Sequence, residues 1–410
     1  MAITDTEQGV WLLEQVYNKQ NQGDIWEYTG SKEGYSWGQN PAGRLGLNQG
    51  SPVRKSSPTQ IPGQWTTIIG GEGTGFGIKT NGTLWSWGTN DIGELGLNSK
   101  TPYSSPKQVG TETTWSRVAS ARYTVGAVKT DGTLWSWGWN GEGQLGLNAS
   151  GGPSQGYDNS RSSPCQIGTR TSWSEVSVGY TAMGALEGNT STGANLYMWG
   201  ANEYGMGGWN HGGWNQPNYR RSSPTTIPGS WKQITLGKFV AYGIKSDDTG
   251  WAWGRQYNGC LGTGTSNRSS PVALQGTNAN WQMINSGSYY NVNAIKTDGT
   301  LWSWGYGGVG QRGDNSSDYS ETSPKPIGTN TNWAYVRANS NATYAIKTDG
   351  TLWSWGGNTY GQLGLNQTPS YGGASSPVQV GTQTDWNTVF FSHMPGSRCD
   401  EQSMFAGRDV

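Results

Sequence analysis

Across residues 115–168 the apolar positions follow the two-residue period of short strands, and no helical period intervenes. "WSRVAS" reads as one strand and the alternating "YTVGAVKT" as a second. Asp131-Gly132 supplies the tight hairpin between the second strand and a third, "LWSWG". "SPCQIG" opens on a proline, which suits an edge strand, because proline has no N–H to give to a ladder. One stretch of about fifty residues thus predicts four short antiparallel strands.

The unit recurs. "KTDGTLWSWG" stands at 129–138, 296–305 and 347–356, with "KTNGTLWSWG" at 79–88. Relaxing the string gives a Trp-Gly pair at Trp37, Trp87, Trp137, Trp199, Trp253, Trp304 and Trp355. Each pair is followed by a proline element (Pro58, Pro106, Pro164, Pro224, Pro271, Pro324, Pro377) and then a second tryptophan (Trp65, Trp115, Trp173, Trp231, Trp281, Trp333, Trp386). A fixed period near fifty points to a repeat architecture. The predicted fold is all-β: a seven-bladed β-propeller of four-stranded antiparallel blades over residues 24–391. The last marker, in "DWNTVFF", has no "TDGTLWSWG" after it, and "DIWEYTGSKEGYSWG" (24–38) has no "W-x-x-V" before it. N- and C-terminal strands are therefore expected to share the closing blade.

Composition narrows the possibilities. Lys plus Arg and Asp plus Glu balance at 27 each, so no field gathers nucleic acid or an anionic membrane surface. Twenty-four tryptophans against five phenylalanines exclude the aromatic-poor, charged composition of a disordered chain. Cys165, Cys260 and Cys399 form neither a disulfide framework nor a zinc motif. No apolar run reaches the roughly 18 residues of a membrane span, and the opening residues do not read as a secretory signal.

Catalytic chemistry is hard to place. The two histidines, His211 and His393, lie near no nucleophile elbow. "GGEGTGFG" (70–77) lacks the Gly-Lys-Ser/Thr of a phosphate loop, and "DNSSD" (314–318) lacks calcium-loop spacing. The sequence predicts no enzyme, no cofactor and no metal site.

Binding is better placed. In an antiparallel blade the first-to-second and third-to-fourth connections share one face, and all the length variation falls there. The longest such loops are 148–163 and 202–223, and the second carries Trp209, His211, Trp214, Tyr219 and Arg220 among glycines. Trp, Tyr and Arg are the side chains most enriched at binding hot spots. First-to-second turns add Arg122, Tyr123, Tyr180, Phe239, Tyr289 and Tyr290 to the expected partner-binding set. Packing onto the propeller surface is the competing reading for each. Residues 1–23 read as a short helix opened by a Thr4–Glu7 capping box, with Val10, Trp11, Leu13 and Tyr17 as an apolar anchor or as packing on the first blade. Residues 392–410 read as a tail beyond ring closure.

The markers "WSRV", "GTLWSWG", "NGEGQLG" and "SSPCQI" resemble the repeat of the regulator of chromosome condensation family along nearly the whole chain. The resemblance implies the propeller, and with it roles as a nucleotide-exchange factor, an enzyme inhibitor or an interaction module. The Asn/Gly/Trp-rich, charge-poor style is similar to marine bacteriophage (cyanophage) proteins. That likeness implies a non-enzymatic virion component, as capsid decoration, tail or fibre. Its partners would be other virion proteins or a host-surface glycan, with no nucleic acid and no membrane insertion. A cytoplasmic regulator of a soluble protein is the alternative, and a propeller lectin a second one.

Overall fold

The computed structural model describes residues 32–50, 54–149, 159–210, 219–276, 279–287, 290–367, 370–391 and 403–409. The described strands fall into seven four-stranded antiparallel units, here called blades and numbered along the chain. Blades 3, 6 and 7 are separate sheets. The others are joined in pairs by two long strands, Lys55–Gly70 and Arg220–Leu236, whose first halves close blades 1 and 4 and whose second halves open blades 2 and 5. In blade 3, Trp115–Ala121, Thr124–Lys129, Leu134–Gly138 and Arg161–Gln166 run from the centre outwards. The first strands of successive blades touch in order, and that of blade 1 (Trp386–Phe391) touches those of blades 7 and 2, so the ring is closed.

The hydrophobic clusters lie between blades. Phe76, Ile78 and Leu84 of blade 2 pack with Trp115, Val118 and Val125 of blade 3 in one continuous core. The Trp-Gly tryptophan is the centrepiece of each joint, and all seven are fully buried. Their indole N–H groups donate to the preceding blade at one repeated position. Trp87 bonds the Arg44 carbonyl at 2.8 Å, Trp137 that of Glu94 at 2.9 Å and Trp199 that of Gln144 at 2.9 Å. Trp253, Trp304 and Trp355 bond Met206, Cys260 and Gln311 at 2.9, 2.8 and 3.0 Å. Trp37 completes the circle on Gln362 at 2.7 Å. Burying one such ring contributes about 4–6 kcal/mol as an upper bound. The indole N–H, which burial would otherwise leave unmatched, has its acceptor.

The opening string of the repeat is thereby explained. Asp131 accepts from the Thr133 N–H (2.9 Å) and hydroxyl (2.7 Å), and that hydroxyl in turn accepts from the Trp135 indole (2.8 Å). Gly132 sits at φ 74°, where a Cβ would stand 2.1 Å from the Thr171 carbonyl, so only glycine fits. Lys129 is held between two tryptophans, 3.7 Å from the Trp135 ring and 4.9 Å from that of Trp115. Lys79, Lys245, Lys296 and Lys347 repeat the sandwich.

The helix of residues 1–23, with Val10, Trp11, Leu13 and Tyr17, lies outside the described residues. The free tail is corrected: Ser403–Asp409 is a strand of blade 1, paired antiparallel with both Trp386–Phe391 and Lys32–Gly38. Its Arg408 pairs with Trp386 in the register of the sandwiched lysines, lies 5.4 Å from both the Tyr35 and Trp386 rings, and bonds Asp385. "MFAGRD" is a degenerate second strand, with Arg in place of the repeat's Lys.

Candidate functional site: a cation–aromatic arc on one face

In blades 2 to 7 the Trp-Gly pair hands the chain to the variable face through one hydrogen bond. The next residue's N–H donates to the carbonyl of the residue before the second strand: Thr89 to Gly73, Trp139 to Tyr123, Ala201 to Thr181, Arg255 to Phe239, Tyr306 to Tyr290 and Gly357 to Asn341, at 2.7–3.0 Å. This contact fixes equivalent positions in blades 2 to 7 and shows how unequally they are filled. Blades 2 and 7 present Gly, Thr or Asn, whereas blades 3, 5 and 6 present Tyr, Trp, Phe and Arg.

The large side chains interlock. Arg122, at φ 50°, holds its guanidinium 4.2 Å from the Tyr180 ring, 4.7 Å from Trp139 and 5.5 Å from Tyr123. Lys238 lies 5.7 Å from both Tyr180 and Phe239. Phe239 meets the edges of Tyr180 and Tyr204 at 5.6 and 5.4 Å. Arg255 is ringed by Tyr204 (4.6 Å), Tyr257 (4.9 Å), Tyr290 (5.8 Å) and Phe239 (5.9 Å), and donates to the Tyr290 hydroxyl at 3.1 Å. The result is an arc of alternating cations and rings across four consecutive blades. Phe239 and Tyr290 are buried and form its floor, while Tyr257 is 45% exposed. Burial pushes the Tyr290 hydroxyl up to about 12, against the pull of Arg255.

Three buried carboxyls belong to the third-to-fourth connections of blades 2, 3 and 4. Burial raises Glu94, which accepts from the Ile92 N–H at 2.8 Å. Glu142 is raised by burial although it is ion-paired to Arg220. Glu203 is pushed up to about 7 by burial and by the charge of Glu142, with Arg122, Arg220 and Lys238 pulling the other way.

The structure thus brings Arg122, Tyr123, Tyr180, Phe239 and Tyr290 together, but not all of the loop residues. Arg220 is committed to Glu142 and lies 4.6 Å from the Tyr219 ring, a clamp between blades 3 and 4. Trp209 is half-buried against the core shared by blades 4 and 5, with Arg221 5.5 Å from its ring. His211, Trp214 and Tyr289 lie outside the described residues. Sequence reasoning missed Trp139, Tyr204, Lys238, Arg255 and Tyr257. The position just after each Trp-Gly pair was the available signal for Trp139 and Arg255.

The family description "Regulator of chromosome condensation (RCC1) repeat" matches residues 81–128, 131–186 and 349–390, and a second description of the same repeat matches 334–362. The chain is a β-propeller carrying RCC1-type repeats. It is similar to the mitochondrial RCC1 domain-containing protein RUG3 of Arabidopsis thaliana, 27% identical over 208 residues. That match covers 46% of this chain and 44% of RUG3, so it spans less than half of that relative. Among solved structures, Prp20p from Saccharomyces cerevisiae is 17% identical with a TM-score of 0.76, covering 95% of this chain and 94% of that one. Human WBSCR16 is 17% identical with a TM-score of 0.77, covering 92% and 99%. These likenesses show the fold. They also overturn the expected virion location: the similarity runs to a mitochondrial plant protein and a yeast RCC1-type propeller, and the phage-like style of the composition finds no counterpart in them.

Proposed function

We propose that this propeller is a non-enzymatic protein-interaction module that grips its partner on the cation–aromatic arc of blades 3 to 6. The observation that carries the reading is the unequal face: at equivalent backbone positions blades 3, 5 and 6 hold Trp, Tyr, Phe and Arg, whereas blades 2, 4 and 7 hold Gly, Ala, Thr and Asn. Structural packing alone would be met by the same small residues all round, since blades 2, 4 and 7 close with them. Rings already locked against cations lose little side-chain entropy on binding, which is what an anchor needs. The binding of Prp20p to Gsp1p and histones supports a protein as the partner class.

The test compares proteins retained by the wild-type chain and by a triple Arg122→Ala, Arg255→Ala, Tyr257→Ala variant, each partner then being re-bound in purified form. A purified partner that loses at least tenfold in affinity with the variant supports the arc. Equal binding to both proteins overturns it.

A further inference from the structure

The arc holds three cations that the chain itself does not neutralise. Arg122 follows the first strand of blade 3, and Lys238 and Arg255 belong to blade 5, so they flank blade 4. Lysines and arginines ordinarily keep their charged heads in water or paired with carboxylates. Here all three are half-buried. Arg122 and Lys238 make ring contacts but no ion pair and no hydrogen bond among the described residues. Arg255 donates only to a neutral phenol, the Tyr290 hydroxyl.

The acids nearby leave this charge standing. Glu142 is taken by Arg220. Burial and Arg255 hold the Lys238 ammonium below its ordinary range, and Arg122 adds to the effect. Glu72 and Glu203 oppose it, yet neither forms an ion pair with any of the three cations among the described residues. The chain as a whole is neutral, with 27 cationic and 27 acidic side chains, so the arc is a local concentration of positive charge.

An aromatic ring engages the flat face of a guanidinium and leaves its in-plane N–H donors available, and those match both oxygens of a carboxylate. Arg122 is fixed 4.2 Å from Tyr180 and Arg255 4.6 Å from Tyr204. Lys238 shares the Tyr180 ring with Arg122 and the Phe239 ring with Arg255, which puts a third charge between the two forks. Tyr257, 45% exposed, adds an accessible ring beside Arg255. Cations alternating with rings complement a chain whose carboxylates alternate with apolar side chains.

We propose that the partner segment gripped by the arc is acidic: a stretch of polypeptide whose Asp or Glu side chains meet Arg122, Lys238 and Arg255 and whose apolar side chains rest on the rings between them. This rests on the reading of the arc as the interaction face and adds the chemistry of what that face holds.

Fluorescence anisotropy of the full chain with a short labelled peptide alternating Glu and Leu, and with the same peptide carrying Gln for Glu, tests this. The Glu peptide is expected to saturate at least about tenfold more tightly than the Gln peptide, and to weaken as salt is raised. Arg122→Gln and Arg255→Gln should each weaken it about tenfold and Lys238→Gln about threefold. Lys107→Gln, which removes a cation stacked on Tyr103 at the outer strand of blade 2, should leave it unchanged. No saturable binding of the Glu peptide overturns the proposal, as does equal binding of the Gln peptide. Equal weakening by Lys107→Gln and Lys238→Gln also overturns it, since that would mean diffuse charge, as does tighter binding of a labelled oligothymidylate, which would mean a nucleic-acid face. If Arg255→Gln does not fold, as judged by circular dichroism, Lys238→Gln decides, because it breaks no hydrogen bond or ion pair: unchanged affinity there is fatal. If the Glu peptide fails while the triple Arg122→Ala, Arg255→Ala, Tyr257→Ala variant still loses its purified partner, the interaction face stands and only its acidic preference falls.

Discussion

The two faces of this ring are built from one repeat and have different fates. On the face of the "TDG" turns, five blades carry the same Lys between two tryptophans, and an acidic or amide side chain closes the same turn. On the opposite face the backbone contact is equally regular, but the side chains on it differ from blade to blade. Uniformity follows where a residue solves a problem every blade shares, such as reversing the chain or joining the next sheet. Diversity follows where the fold makes no demand, and there a cation–aromatic arc occupies four blades only.

The sharpest way to break the comparison is to open the ring. Deleting 403–410 removes the strand paired on both sides in blade 1 together with Arg408. It should cause the largest loss of thermal stability of any change described, with an exposed strand edge that drives self-association in light scattering. Trp304→Ala, which empties one joint, should cost about 3–5 kcal/mol and lower the melting temperature. An Arg255→Ala change on the variable face should cost no more than about 2 kcal/mol by the same measurement. If the face residue proved as costly as the joint residue, the division between the faces would fail.

Titration separates the buried acids from the turn aspartates. Glu203 and Glu175 are both pushed up to about 7. Between the ordinary carboxylate range and that value the folded protein holds protons that the unfolded chain releases, so stability should fall as pH rises towards 7, with a limiting slope of about 1.4 kcal/mol per pH unit for each group. Glu203→Gln should remove its share of this slope in melting curves between about pH 5 and 7. The turn aspartates Asp131, Asp247, Asp298 and Asp349 are held below their ordinary range by hydrogen bonds from Thr. Their contribution has the opposite sign, being complete above the ordinary aspartate range and lost as pH falls through their lowered values. Smallest of all, Asp131→Ala should cost about 0.5–1.5 kcal/mol in a melt at neutral pH, one turn among several equivalent ones.

Much of the architecture was legible because it is local and repeated. The Asp-Gly turn, the period-two strands and the three ordered markers each have a short-range cause, and the order of the markers implied shared closure. What escaped was the identity of one strand. "MFAGRD" carries Arg where five other blades carry Lys and lacks the following Gly-Thr, so its role shows only through pairing with the strand Lys32–Gly38 at the other end of the chain. The variable face was half legible. Tyr123, Tyr180 and Phe239 stood out as aromatic turn residues, whereas Arg255 and Lys238 did not, because a cation acquires meaning only from the rings packed around it. Arg220 looked like a hot spot and is instead an ion-pair clamp on Glu142.

The amino-acid sequence by itself therefore determined the repeat, the turn chemistry and the buried tryptophans, since each depends on backbone stereochemistry or on burial within a few residues. Only the tertiary structure decided which strand closes the ring and which side chains meet on its variable face. Those depend on distances between residues that closure alone brings together.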